Sequence, residues 1–346
     1  MKKSIRMAVT AALTFGALSV GGGQTYAADQ DLSADEHSLG ETVVTATRTP
    51  NKELKADADI TVITGRDIER RHYTDLTQAL RDVPGVTVNQ YGPAGYNNSN
   101  NIYINGSSDV VILVDGVRQN YAGGSGASLA SALKDLSGVD RIEVLHGSAS
   151  TLYGSDAKGG VINIITKKAQ KVKTTLGVGY GSYGRQLYSI ANEGAVAGWD
   201  WRVKYQKDKS SDFKDAHGNK IPSELDADSV NLHLGKALSK ASYLALNFRS
   251  YKDSDQYQAR HEMAYPANKG NYDHFDGSLV WNVQIDDTMK NQMSVSRSKY
   301  DYDLLTFGAW SPPTGDPYNF SVWTWRFSDQ FDKKLGDHLV TSRRNG

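Results

Sequence analysis

The side chains that usually perform catalysis do not form a catalytic pattern in this sequence. There is no cysteine, which excludes disulfides, thiolate metal sites and cysteine nucleophiles. No serine stands in a nucleophile elbow, no histidine pair follows a helical spacing, and the run Gly123–Gly126 lacks the following lysine of a phosphate loop. We therefore predict no enzymatic activity, no catalytic residue, no cofactor and no metal site. An enzyme is a remote alternative, which a cleft of titratable groups with shifted pKa values would favour.

Polar and aromatic side chains gather instead in one long loop, residues 91–100. The loop is rich in asparagine, glycine, serine and tyrosine, and it is long and polar enough to be exposed. The candidate ligand contacts are Tyr91, Tyr96, Asn97, Asn98 and Asn100, with Arg118 and Tyr121 nearby. The alternative is a solvated loop without a ligand, because polar loops are common.

The composition gives no support to nucleic-acid binding. Lysine and arginine together number 39, and aspartate and glutamate also number 39. A chain that binds nucleic acid electrostatically would carry an excess of positive charge. We expect the polar half of the composition to line a water-filled lumen.

Residues 1–27 have the pattern of a cleaved export signal. A basic start precedes the apolar residues 7–20, and Thr25–Ala27 forms a small-residue cleavage site. A membrane-anchoring helix is the alternative, but the apolar stretch is short and diluted by threonine, serine and glycine. No later window approaches the roughly 20 consecutive apolar residues of a spanning helix, so the mature chain could enter a membrane only through β-strands.

A flexible acidic segment, residues 28–50, is expected to follow the export signal. It contains one β-branched run, Glu41–Thr47, which could form a lone strand. Such a strand either docks within its own fold or is offered to another protein, which would pair with it through main-chain hydrogen bonds.

Residues 51–168 have the pattern of a small α/β domain. Asp115-Gly116 between apolar residues predicts a hairpin turn. Strands are predicted at Ile60–Ile63, Val86–Asn89, Asn101–Ile104, Val110–Val114, Ile142–Leu145 and Val161–Thr166. Helices are predicted near residue 64, from Thr74 or Asp75 to before Pro84, and at Leu129–Leu136.

Beyond residue 168, apolar and polar side chains alternate over segments of about ten residues, as in strands that meet lipid on one face and water on the other. The apolar faces include Trp199, Trp201, Val203 and Tyr205; Leu244, Leu246 and Phe248; Leu279, Trp281, Val283 and Ile285; and Trp323, Trp325 and Phe327. The opposite, polar faces of these strands carry Arg202, Arg249 and Arg326. A soluble sandwich also alternates. Loop lengths favour a barrel, because the short turns Gly194–Gly198 and Asp286–Thr288 alternate with the longer polar loops Lys207–Asp228 and Lys252–His274.

Taken in order, several motifs resemble the TonB-dependent outer-membrane receptors over nearly the whole chain. Glu41–Thr47 is similar to a TonB box. The motifs similar to successive plug signatures are Pro84–Val86, Leu113–Val117, Ile142–Val144 with Gly147, Leu152–Gly154 and Gly159–Thr166. The resemblance implies an α+β plug domain at residues 51–168, followed at residues 169–346 by transmembrane antiparallel β-barrel strands.

The resemblance also implies active uptake of a scarce ligand across the outer membrane, in contact with outer-membrane lipid. TonB, with ExbB and ExbD, would pair with the box residues Glu41, Thr42, Val43, Val44, Thr45 and Ala46 and transmit work to the plug. The ligand would contact the plug loop residues given above. A ferric siderophore or haem is favoured, and cobalamin is the alternative within the family. His217, His261 and His274 could ligate haem iron, although an isolated surface histidine more often has no such role. A surface adhesin or structural barrel without transport is the alternative of another class.

The sequence departs from this family at three residues and in its length. Asn105, His146 and Ser148 stand where the family commonly has Arg, Arg and Pro, and the two arginines help to lock the plug to barrel carboxylates. A neutral Asn cannot do this, and a His can do so only when protonated. In addition, the 176 residues after residue 170 allow roughly eight or nine strands, whereas the family barrel has 22. We therefore expect an incomplete barrel, from a fragment or a truncated reading frame, that forms no closed pore.

Overall fold

A computed structural model describes residues 59–89, 101–120, 136, 138–257, 267–307, 314–336 and 338–345. These residues belong to one compact unit, Asp57–Gly346. No helix among them has both the length and the apolar character needed to cross a membrane.

The first part of the described chain, residues 59–168, is an α+β region that we call the mixed unit. Its strands are β1 (Ile60–Thr64), β2 (Val86–Asn89), β3 (Asn101–Ile104), β4 (Val110–Val114), β5 (Val117–Arg118), β6 (Val139–His146) and β7 (Gly160–Thr166). Its helices are α1 (Gly65–Arg70), α2 (Leu76–Leu80) and α3 (Ser150–Tyr153). The positions of all six predicted strands agree with these bounds to within three residues. Most of the predicted helix Leu129–Leu136 lies outside the described residues.

Five strands of the mixed unit form one sheet in the order β1-β6-β7-β4-β5, and β2 pairs with β3 separately. Strands β4 and β7 are parallel, whereas β1 and β6 and also β6 and β7 are antiparallel. Every residue of β4 is buried, as its unbroken apolar sequence requires. Helix α2 contributes Leu76 and Leu80, both fully buried, to the main core cluster.

The two longer helices of the mixed unit begin at side-chain caps. The Thr64 hydroxyl accepts from the Asp67 backbone N–H at 3.1 Å, and the Asp67 carboxylate accepts in return from the Thr64 backbone N–H at 3.3 Å. Asp75 accepts from the Gln78 backbone N–H at 2.9 Å. These caps satisfy N–H groups that a helix cannot pair internally, and they fix where each helix begins.

The second part of the described chain is an open meander that we call the long sheet. Its strands are β8 (Lys173–Gly181), β9 (Arg185–Val196), β10 (Trp199–Ser210), β13 (Leu225–Ser239), β14 (Ser242–Tyr257), β15 (Asn268–Asp286), β16 (Met289–Thr306), β17 (Asp316–Leu335) and β18 (His338–Asn345). All nine are antiparallel neighbours in chain order, with β8 and β18 at the edges. A small hairpin of β11 (Phe213–Lys214) and β12 (Lys220–Ile221) lies between β10 and β13.

The two faces of the long sheet differ in the way that the alternation predicts. The outward face exposes Trp199, Leu246, Leu279, Trp281, Trp323, Trp325 and Phe327. The inward face buries Lys204, Gln206, Asp208, Asp253, Ser278 and Gln330. An apolar outward face opposite a largely polar inward face is typical of strands between lipid and an aqueous lumen.

The predicted loops Lys207–Asp228 and Lys252–His274 are wrong in their extent. Strand β10 continues to Ser210 and β13 begins at Leu225, while β14 continues to Tyr257 and β15 begins at Asn268. The charged ends of these strands read as loops in the sequence because they are polar on both faces. In the structure their outward charges pair across strands, Lys207 with Asp226 and Asp228, and Lys252 with Asp273.

Candidate interface between the mixed unit and the long sheet

Arg202 joins the long sheet to the mixed unit. It lies on the inward face of β10 and is 13% exposed. Its guanidinium donates to the backbone carbonyl of Lys167 at 2.7 Å and to that of Gly138 at 3.2 Å, while Nε donates to Glu193 on β9 at 2.9 Å. Gly138 has a φ of +78°, and a Cβ there would lie 2.7 Å from the Arg202 Nε. A glycine is therefore needed for this close approach.

Two further inward arginines contact the mixed unit at the residues after β5. Arg249 on β14 donates to the Gln119 side-chain oxygen at 2.9 Å and lies 3.6 Å from Asp276. Arg326 on β17 donates to the backbone carbonyl of Asn120. The Asn120 side chain accepts from the Ile112 N–H at 2.8 Å and donates to the Val110 carbonyl at 3.0 Å, so the point of attachment is tied to β4.

We call Arg202, Arg249 and Arg326 the three docking arginines. Their acceptors in the mixed unit are neutral carbonyl oxygens, so these three contacts are charge-assisted hydrogen bonds and not ion pairs. A cavity of about 90 Å³ lies at the same interface, lined by Asp115 and Thr166 of the mixed unit and by Arg202, His233 and Asn247 of the long sheet. Apolar side chains, among them Ile164 and Phe248, also line this cavity.

The docking differs from the lock that the family resemblance suggested. The Asn105 N–H donates to the Gly85 carbonyl at 2.9 Å, and His146 Nε2 shares a hydrogen bond with the Thr61 hydroxyl at 3.0 Å. Both of these contacts lie within the mixed unit. In the three docking contacts the arginine belongs to the long sheet and the acceptor to the mixed unit, whereas the family lock places the arginine in the plug.

Most of the predicted site residues lie outside the described residues. This holds for the predicted TonB-binding segment Glu41–Ala46 and for Tyr91, Tyr96, Asn97, Asn98, Asn100 and Tyr121. Arg118 is described: it lies on β5 and forms an ion pair with Asp156. The hydrogen bond from Arg118 holds the pKa of the Asp156 carboxyl below its ordinary value. Arg118 directly precedes the docked residues Gln119 and Asn120, so this ligand candidate lies beside the interface.

An aromatic cluster on the inward face was missed by the sequence reasoning. The Tyr272 and Tyr302 rings stack with centroids 4.2 Å apart, and Tyr300 contacts the rings of His274 and Phe320 at 6.2 Å. In the sequence, Tyr300 and Tyr302 alternate with Asp301 and Asp303, which places the two tyrosines on the same face of a strand. The alternation alone does not identify that face as the inward one. The alternation in the sequence placed the three docking arginines on polar strand faces, as the structure has them. It gave no indication of their acceptor atoms in the mixed unit.

The histidines considered as haem ligands do not come together. His274 is buried against Asp276 at 3.6 Å, whereas His217 is exposed in the hairpin loop beside Asp215. His261 lies outside the described residues. Within the described ranges, no group of three or more acidic or histidine side chains could hold a metal ion.

Comparisons with known proteins agree with this architecture. Residues 52–161 match the family model described as the TonB-dependent Receptor Plug Domain. The siderophore receptor PiuA from Acinetobacter baumannii is 19% identical with a TM-score of 0.62, and 83% of this chain aligns to 45% of that chain. The ferric enterobactin receptor PfeA from Pseudomonas aeruginosa is 18% identical with a TM-score of 0.65, and 83% of this chain aligns to 48% of that chain.

A third similar structure is the ferric-catecholate import receptor Fiu from E. coli K12. It is 19% identical with a TM-score of 0.62, and 84% of this chain aligns to 49% of that chain. At these identities the likeness shows a shared fold. The chain spans about half the length of these receptors. The predicted fold class is confirmed: a plug-type α+β region followed by antiparallel strands that match part of the receptor barrels.

Proposed function

We propose that this protein is a TonB-dependent receptor of the outer membrane that takes up a ferric siderophore. The observation that carries the proposal is the docking of the mixed unit by the three docking arginines. An obstruction that is attached through polar contacts around an internal cavity, and that has its own hydrophobic core, can be displaced without unfolding that core. No bond of the ligand changes in this process, so the proposed activity is transport and not catalysis.

The choice of ligand rests on the similar structures. Their names describe a siderophore receptor, a ferric enterobactin receptor and a ferric-catecholate import receptor. Haem and cobalamin are the other outcomes of the test. In the proposal the ligand contacts Tyr91, Tyr96, Asn97, Asn98, Asn100, Arg118 and Tyr121.

The energy source in the proposal is TonB, with ExbB and ExbD. TonB pairs with Glu41–Ala46 as an added strand and pulls on residues 51–168, which act as the plug. Residues 1–27 direct export and are removed, residues 28–50 carry the TonB box, and residues 169–346 contribute barrel strands. The apolar outward face of the long sheet meets the outer-membrane lipid.

The proposal is tested by uptake in cells that express this protein from its own gene. Val43→Pro removes a backbone donor from the strand that TonB would pair with. Ala34→Pro is the matched control, because it adds the same residue within the same acidic segment but outside the box. Cells are offered an iron-labelled catecholate siderophore, labelled haem and labelled cobalamin, and both surface binding and uptake are measured.

We expect one ligand to bind equally to all three proteins but to enter only with the wild type and Ala34→Pro. The ligand that is taken up in this pattern is identified as the substrate. Equal uptake with Val43→Pro would contradict energised transport and favour an adhesin or structural barrel.

A further inference from the structure

An arginine on the outward face of the long sheet stands among aromatic rings. Arg297 lies on β16, where its neighbours in register are Trp325 on β17 and Gly277 on β15. Its Cζ lies 4.4 Å from the centroid of the Trp323 ring and 5.0 Å from that of Trp325. Both tryptophans are about half exposed, at 51% and 55%. The guanidinium is therefore held by ring faces on an exposed surface.

The charge of Arg297 is not balanced within the described part of the protein. Three outward lysines are paired with carboxylates: Lys207 with Asp226 and Asp228, Lys252 with Asp273, and Lys299 with Asp301. Arg297 forms no ion pair with any residue that the structure describes. On the β15 side its register neighbour is Gly277, which has no side chain, and the Phe275 ring lies beside that position, 3.6 Å from where a Cβ of Gly277 would stand. The surroundings of the guanidinium are therefore aromatic, and its N–H donors have no carboxylate partner among the described residues.

The position of Arg297 along β16 indicates its level in the membrane. The outward residues before it, Met293 and Val295, are apolar, and those after it, Lys299, Asp301 and Asp303, are charged. Arg297 thus stands where the apolar band ends, and Trp323 and Trp325 are the residue type that concentrates at membrane interfaces. An arginine facing lipid costs about 2–4 kcal/mol at the bilayer midplane but about 0–1 kcal/mol near the interface. The phosphates of lipid headgroups lie at this interface.

We propose that Arg297, with Trp323 and Trp325, binds the phosphate of an anionic membrane lipid. The guanidinium offers paired N–H donors that match two phosphate oxygens, and the indole rings pack beside the acyl chains near the headgroup. Lys299, whose ammonium lies 5.1 Å from the Trp323 ring, borders the site but is already paired with Asp301, so Arg297 supplies the charge that meets the phosphate. This inference rests on the proposed function only in requiring that the outward face meets a bilayer.

The test uses the full protein reconstituted into phosphatidylcholine vesicles that contain either brominated phosphatidylglycerol or brominated phosphatidylcholine. Bromine on the acyl chains quenches nearby tryptophan emission. One juxtamembrane basic residue contributes about 1 kcal/mol toward anionic lipid, so we expect about fivefold preferential quenching by phosphatidylglycerol. Arg297→Gln should reduce this preference to about one. Arg297→Lys should keep part of it, because the charge remains and the planar fork is lost.

Lys207→Gln is the matched control, since it removes an outward cation that already has carboxylate partners, and it should keep the preference. Excess inorganic phosphate should not abolish it either; if it does, the site binds free anions and the lipid proposal is wrong. Equal quenching by both lipids in the wild type would also overturn the inference, while leaving the membrane location intact. Absence of quenching by either lipid would contradict the membrane location itself, and with it the proposed function.

Discussion

At the scale of single residues, Arg202 connects three separate parts of the chain. One side chain holds Glu193 of the long sheet and two carbonyls of the mixed unit, those of Gly138 and Lys167. We predict that Arg202→Gln lowers the free energy of unfolding of the docked state by about 2–3 kcal/mol, because hydrogen bonds from a charged donor are lost at a largely buried site. Urea titration monitored by hydrogen exchange at the Lys167 amide, which donates to Gly138, would measure this change.

The matched control for Arg202→Gln is Arg70→Gln, which removes an exposed arginine whose ion pair is with Asp67 on the same helix. An exposed substitution of this kind should change stability by less than about 0.5 kcal/mol. If both variants behave alike, Arg202 does not hold the mixed unit.

The cap of α1 provides a prediction about pH. The hydrogen bond from the Thr64 hydroxyl is the main cause that lowers the pKa of the Asp67 carboxyl from its ordinary value of 3.8. A carboxyl with a lowered pKa stabilises the folded state above pH 3.8, and this contribution disappears as the pH falls through the folded-state pKa. We predict that Thr64→Ala raises the Asp67 pKa toward 3.8 and costs about 1 kcal/mol at neutral pH.

An NMR titration of Asp67 and unfolding at several pH values would test this prediction. The stability difference between Thr64→Ala and the wild type should shrink below pH 3.8. Thr87→Ala, at an exposed position of β2, should leave the Asp67 pKa unchanged. An Asp67 pKa that is the same in Thr64→Ala and the wild type would contradict the assigned cause.

At the scale of elements, the pairing of β6 with β7 depends on Gly160. Its φ is +152°, and a Cβ there would lie 2.2 Å from the Leu145 carbonyl oxygen of β6. Gly147 has a φ of +85°, and a Cβ at that position would meet no described atom within 4 Å, so a substitution there meets backbone strain alone. We predict that Gly147→Ala costs about 1–2 kcal/mol, whereas Gly160→Ala costs about 2–5 kcal/mol because it must also move β6. Unfolding midpoints of Gly147→Ala and Gly160→Ala measure the two losses of stability. Equal losses would contradict the prediction, because they would show that β6 moves at no cost.

Some features of these elements could be predicted from the sequence, and others could not. The local pattern of apolar and polar residues predicted strands in both parts, and Asp115-Gly116 predicted the turn between β4 and β5. The parallel pairing of β4 with β7 could not be predicted, because their partners lie about fifty residues apart and no local signal specifies them. The ends of β10 and β13 were missed because the charged partners Lys207 and Asp228 look like loop residues until their pairing is known.

At the scale of the whole molecule, the two parts are stabilised in different ways. The two larger core clusters lie within the mixed unit, while the buried apolar cluster of the long sheet contains only Leu225, Ala227 and Tyr251 among the described residues. The mixed unit therefore has its own hydrophobic core, and its attachment to the sheet is polar. Apolar periodicity could predict that core, but a polar interface leaves no such period. This is why the sequence placed Arg249 and Arg326 on the right face without identifying their acceptors.

This division predicts that the mixed unit can be undocked while both parts stay folded. The triple variant Arg202→Gln, Arg249→Gln and Arg326→Gln removes all three docking arginines, which stand on three different strands. Because distant sites add, its effect should be about the sum of the three single free-energy changes. Trypsin cleavage after Lys168 and Lys171, in the connection to β8, should accelerate accordingly, while amides of β6, β7 and β14 keep their protection from exchange.

The control replaces the exposed Arg66, Arg70 and Arg81 with glutamine and should cleave like the wild type. Joint loss of protection in β7 and β14 would instead mean that the mixed unit and the long sheet fold as one cooperative structure, which a displaceable plug could not be.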